Sequence, residues 1–72
     1  MYNLNKEATV FYYINLNCPG VVFCFTSAAA AEEWADHMVS EGECPAPVSE
    51  EVAQRYLQVG DKYEGRWTLV HL

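Results

Sequence analysis

Two short apolar runs separated by a four-residue break dominate the first third of the chain. Thr9-Val10-Phe11-Tyr12-Tyr13-Ile14-Asn15-Leu16 and Val21-Val22-Phe23-Cys24-Phe25-Thr26 are dense in β-branched and aromatic residues, which suit a pleated, half-buried surface. Between them lies Asn17-Cys18-Pro19-Gly20, built from turn-forming residue types. The pattern predicts a β-hairpin over Thr9–Thr26. Closing a four-residue loop sets Leu16 opposite Val21, Ile14 opposite Phe23 and Tyr12 opposite Phe25, with Val10 extending the same face. The other face then carries Phe11, Tyr13, Val22 and Cys24. That is more apolar than a solvated side requires, so it predicts either cover by Met1–Glu7 or a dimer or partner surface.

Downstream, the periodicity changes from two to between three and four. Thr26-Ser27 supplies an N-cap, strong helix formers run to Glu41, and Gly42 reads as the stop. Ala31, Trp34, Ala35 and Met38 share one face of this helix, which places it on the inner side of the hairpin. Glu43-Cys44-Pro45-Ala46-Pro47 reads as a stiff connector, because a proline disfavours helix in the residue before it. Ser49 caps a second helix with Glu50 and Glu51 in its first turn and a buried stripe of Val52, Ala53, Tyr56 and Leu57; Gly60 ends it. After a turn over Asp61–Gly65, Arg66–Leu72 alternates as a closing strand. The expected architecture is α+β: a three-stranded antiparallel sheet in β-β-α-α-β order, first strand central and last strand beside it, with two helices packed on one face.

Seventy-two residues, 51% hydrophobic with ten aromatics, fit a single compact domain over 1–72 that is just large enough to bury a core. Ten acidic residues against four basic ones give a formal charge of −6. That balance argues against direct nucleic-acid or membrane-surface binding and in favour of a basic partner. The start of the chain lacks a signal-peptide layout, with Glu7 directly after Lys6. Three cysteines without paired spacing read as free thiols in a reducing cytoplasm.

Catalytic chemistry finds no support. His37 and His71 are the two histidines, and His37 sits with Glu33 at i, i+4 on the polar side of the first helix, as a surface pair does. Cys18, Cys24, Cys44 and His37 lack the Cys-x₂₋₄-Cys spacing of a zinc site, and no glycine-rich phosphate loop is present. The chain reads as a non-enzyme without metal or cofactor.

The acids themselves are unevenly spread. Glu32 to Glu51 contains seven carboxylates (Glu32, Glu33, Asp36, Glu41, Glu43, Glu50, Glu51) and no lysine or arginine. Glu32 and Asp36, at i, i+4, repel at a cost of roughly 0.2–0.5 kcal/mol. Glu41 and Glu43 sit where the helix dipole disfavours negative charge. A sequence selected for stability alone would place lysine at several of these positions. The pattern therefore predicts either a solubilising surface or one that meets arginines and lysines. Duplex DNA carries about one charge per 1.7 Å of axis, so one short helix imitates a short segment of it and not a long duplex.

The hairpin, the acidic helix, the second helix opening at Pro47-Val48-Ser49-Glu50-Glu51-Val52 and the Gly65-Arg66-Trp67 lead into the last strand resemble the small phage-encoded anti-CRISPR proteins that act on type I systems. The resemblance lies in architecture across most of the chain, not in a signature motif. It implies a non-catalytic, monomeric inhibitor in the cytoplasm of a bacterial host. Such an inhibitor would occupy the site on the Cascade large subunit that recognises the protospacer-adjacent motif, and so exclude target DNA. Carried over by residue type, the contact residues are Glu32, Glu33, Asp36, Glu41 and Glu43; Arg55, Lys62 and Arg66 depart from the acidic pattern. Two other readings remain open. One is a small regulatory module that dimerises through the outer hairpin face. The other is an anti-restriction or antitoxin-like protein using the same acidic helix.

Overall fold

The computed structural model describes residues 9–72. It contains β1 (Phe11–Asn15), β2 (Val21–Phe25), α1 (Ala28–Ser40), β3 (Pro45–Val48), α2 (Glu50–Gln58) and β4 (Thr68–His71). The four strands form one mixed sheet in the order β3-β1-β2-β4. Met1–Glu7, expected along the outer hairpin face, lies outside the described residues.

Both helices begin where their caps dictate. The Ser27 hydroxyl accepts from the Ala30 N–H and the Ser49 hydroxyl from the Val52 N–H, each satisfying a donor the helix cannot. The hairpin also forms, with β1 antiparallel to β2, but one residue out of the expected register: Ile14 faces Val22, Tyr12 faces Cys24 and Phe11 faces Phe25. The cause lies in the turn. The Asn15 side-chain oxygen accepts from the Asn17 N–H at 3.0 Å and the Asn15 carbonyl from the Cys18 N–H at 3.0 Å, so the chain begins to turn before Leu16. Gly20, at φ +114°, completes the return in a conformation that other residues rarely adopt. A slip of one moves every β2 side chain to the opposite face relative to β1. Val10 and Leu16, expected inside, lie just beyond the two ends of β1 and are exposed.

The expected connector is a fourth strand. β3 pairs with β1, setting Ala46 beside Ile14 and Val48 beside Tyr12. The Cys44 carbonyl accepts from the Leu16 N–H at 2.9 Å, so residues 44, 46 and 48 face β1. Pro45 and Pro47 therefore turn their hydrogen-free nitrogens to the open side, where an edge strand tolerates them. With that flank of β1 occupied, β4 joins β2 instead, and runs parallel to it.

This topology also corrects the placement of the helices. β2, β3 and β4 all run antiparallel to β1 or parallel to one that does, so α1 and α2 are both crossover connections between parallel strands. The β2-to-β3 crossover travels one way across the sheet and the β3-to-β4 crossover travels back. Crossovers of the same hand must then lie on opposite faces. Trp34 of α1 covers the odd-numbered face, with ring centroids 5.7 Å from Tyr13, 4.8 Å from Phe23 and 5.2 Å from Phe25. Ala53 of α2 packs on the even-numbered face with Ile14, Val22 and Trp67, flanked by Tyr56 and Leu57. No free outer hairpin face remains: Phe11 and Tyr13 share the side beneath α1, while Val22 and Cys24 are buried on the side of α2. A dimer through Phe11, Tyr13, Val22 and Cys24 together is thereby removed, since those four never share a face.

Trp67 closes the α2 side. It stacks on Tyr56 at 4.0 Å and donates its indole N–H to Asp61 Oδ2 at 3.1 Å. No helix among the described residues is long and apolar enough to cross a membrane.

Candidate functional site

At about 100° per residue, Glu32, Asp36 and Glu33 span an arc of roughly 100° on α1. Ala31, Trp34, Ala35 and Met38 occupy the opposite arc, the one turned to the sheet, and Ala31 is buried there. Packing of that apolar stripe fixes the helix's rotation, so the three carboxylates point to solvent, and all three are exposed. Ahead of them, Ala28, Ala29 and Ala30 are exposed as well, leaving the first turn smooth. The described basic residues, Arg55, Lys62 and Arg66, belong to α2 and the segment after it, which crosses the other face of the sheet.

Glu41 stands at the C-cap of α1, its N–H bonded to the His37, Met38 and Val39 carbonyls. Its side chain is exposed but lies off the arc of the other three. Glu43 has a different role. Its Oε1 accepts from Asn15 Nδ2 at 3.1 Å and from Asn17 Nδ2 at 3.4 Å, and Asn15 Oδ1 in turn accepts from the Cys44 N–H at 3.4 Å. Glu43 thus ties the exit of α1 to the hairpin turn, around an asparagine that is 5% exposed. The structure brings Glu32, Glu33 and Asp36 together, leaves Glu41 at their margin and draws Glu43 into the fold.

Glu50 and Glu51 fall in the first turn of α2, on the far side of the sheet, so the seven acids do not form one patch. Glu50 lies near Tyr12. Burial raises the Tyr12 phenol above its usual value, the Glu50 charge adds to this and then that of Cys24, while a side-chain hydrogen bond with Gln54 opposes them.

One contact was not legible in the sequence. Cys24 Sγ lies 3.0 Å from His71 Nδ1, because the parallel pairing sets residue 24 of β2 beside residue 71 of β4. A register between strands far apart in sequence leaves no local signal. Cys18 and Cys44 are exposed while Cys24 is buried, so the three thiols have different surroundings. Among the described residues no three histidine, cysteine, aspartate or glutamate side chains converge as a metal would need, and no cavity is enclosed.

What this arrangement offers chemically is a convex anionic helix face beside a bare alanine turn. Such a face favours docking on a cationic surface, and association with it is faster at low salt. Comparison with protein families, with curated proteins and with solved structures finds no match for this chain.

Proposed function

We propose that the chain is a non-catalytic inhibitor whose α1 face docks on a cationic, nucleic-acid-reading surface of a partner protein and keeps the nucleic acid away from it. The observation that carries this reading is the grouping of Glu32, Glu33 and Asp36 on one exposed arc, with the described cations on the other side of the sheet. Like charges on one arc cost the free protein stability, and a partner with positive charge recovers it. The 13 residues of α1 extend about 20 Å, a span over which duplex DNA presents about a dozen charges. With so few carboxylates, α1 matches a pocket that reads a short DNA segment. The anti-CRISPR resemblance names the Cascade large subunit of a bacterial host as that partner, and Glu41 extends the contact at its edge. A restriction enzyme is the alternative owner of such a pocket.

The test is Glu32→Lys with Asp36→Lys. Reversal replaces one like-charged i, i+4 pair with another, so the thermal midpoint should move little, while capture of the basic partner falls by at least about tenfold. Undiminished capture by the folded double variant would overturn the reading. Capture of purified Cascade but not of a restriction enzyme, or the reverse, distinguishes the two partners.

A further inference from the structure

The parallel pairing of β4 decides which of its backbone groups turn inwards. The Thr68 N–H donates to the Gly20 carbonyl and the Leu72 N–H to the Cys24 carbonyl, both at 3.0 Å. Alternate residues of a strand aim their N–H and C=O groups to alternate sides. Thr68, Val70 and Leu72 therefore face β2, while the N–H and C=O groups of Leu69 and His71 point away from the sheet. Four backbone hydrogen-bonding groups thus stand on the outer side of a strand that has no charged side chain. Such a row is a template for another extended chain, and charge is the usual means of blunting it.

The helices leave this edge clear. α1 lies mainly over β2 and β3, and α2 over β1 and β2, so β4 projects past both. The exposed acids of α1 belong to a helix that runs from β2 to β3, away from β4. Apolar area also remains in water here: Leu69 is 36% exposed and Leu72 57%.

We propose that β4 joins β4 of a second copy of this chain, antiparallel, about a two-fold axis beside Val70. Leu69 of each copy then faces His71 of the other and exchanges two hydrogen bonds with it, so the join has four. Val70 meets its own counterpart at the intervening position, where side chains approach most closely. What selects a second copy over a foreign strand is that the register completing all four bonds also sets Thr68, Leu69, Val70 and His71 against uncharged residues only. The contact is isologous. It is small beside the about 1,200 Å² at the lower end of stable interfaces, so it forms at high protein concentration. With a net charge of −6 on each copy, salt strengthens it by screening repulsion. The α1 face of the docking proposed above stays uncovered, so each can fail without the other.

Sedimentation velocity on the isolated chain, from about 10 µM to 1 mM at about 20 mM and about 0.5 M sodium chloride, tests it alongside amide exchange. The mean mass should rise with concentration towards twice the monomer's, and more steeply at the higher salt. Over the same range exchange should slow at the Leu69 and His71 amides, and change less at Thr68, Val70 and Leu72, which are already bonded to β2. Leu69→Pro removes an outward hydrogen but none that β2 accepts, so it should abolish the rise without altering the circular dichroism. The wild-type exchange measurement decides the matter even where that variant does not fold. Glu32→Lys with Asp36→Lys should retain the rise; its loss would move the contact to α1 and overturn the proposal. So would a wild-type chain that stays monomeric at the higher salt, which leaves the edge to a foreign strand. An association that survives Leu69→Pro, or that leaves the Leu69 and His71 amides exchanging as fast as in dilute solution, would overturn it as well.

Discussion

Asn15 shows how much of this fold rests on single polar side chains. Its amide oxygen serves the N–H groups of Asn17 and Cys44, and its amide nitrogen serves Glu43, so one buried residue joins the hairpin turn to the segment leaving α1. Asn15→Ala leaves those N–H groups without their partner and should cost about 1–3 kcal/mol in urea unfolding. Glu43→Gln keeps an oxygen acceptor and should cost less than about 1 kcal/mol. A carboxylate engaged in this way adds little to a docking surface. Glu43→Lys should therefore lower stability more than it lowers partner capture, the reverse of Glu32→Lys with Asp36→Lys. The sequence marks Glu43 as one acid in a row and contains no sign of its amide partners, which lie 28 and 26 positions away.

Among the elements, those specified locally were legible and those specified by distant pairing were not. Both helices, their serine caps and the buried stripe of α2 follow from spacing and residue type alone. Pro45-Ala46-Pro47-Val48 reads as a connector because proline is depleted in strands, yet the two prolines fall at alternate positions and so spare every donor that faces β1. Missing that strand misplaced β4 and put both helices on one face, since the crossover argument needs β3 to exist. The hairpin register failed for a smaller reason, an asparagine that starts the turn one residue early. The connection from α2 to β4 carries its own constraint. Gly60 has φ +78°, and a Cβ there would stand 1.8 Å from the Gly65 carbonyl oxygen. Gly60→Ala should then cost more than the about 1–2 kcal/mol of left-handed backbone alone, because two backbone segments must also separate. Thermal unfolding measures this, and a loss below about 1 kcal/mol would contradict the close crossing.

For the molecule as a whole, charge is unevenly mixed across the sheet. Glu32, Glu33, Asp36 and Glu41 lie on the α1 side with no lysine or arginine among them, whereas α2 and its loop carry Glu50, Glu51, Asp61 and Glu64 together with Arg55, Lys62 and Arg66. Only part of this was visible in the sequence. The acidic run from residue 32 to 51 is plain there, but its division between two layers depends on the topology. A net charge of −6 makes self-repulsion a standing cost to the compact state. Raising sodium chloride from about 20 mM to 0.5 M should screen it and raise the unfolding midpoint. Glu32→Lys with Asp36→Lys, which brings the formal charge to −2 (−6 plus two reversals of two units), should show a smaller rise. A midpoint that falls with salt would mean that attractive pairs outweigh the repulsion.

The two margins of the sheet are not alike. On one, Pro45 and Pro47 present no hydrogens to an incoming strand; on the other, Thr68-Leu69-Val70-His71 carries neither proline nor formal charge. Backbone-to-backbone joining of copies is therefore possible, among the described residues, only from β4 to β4. Two chains that meet in this way expose proline margins at both ends, so growth of the ribbon halts at a pair and a fibril cannot propagate by that route.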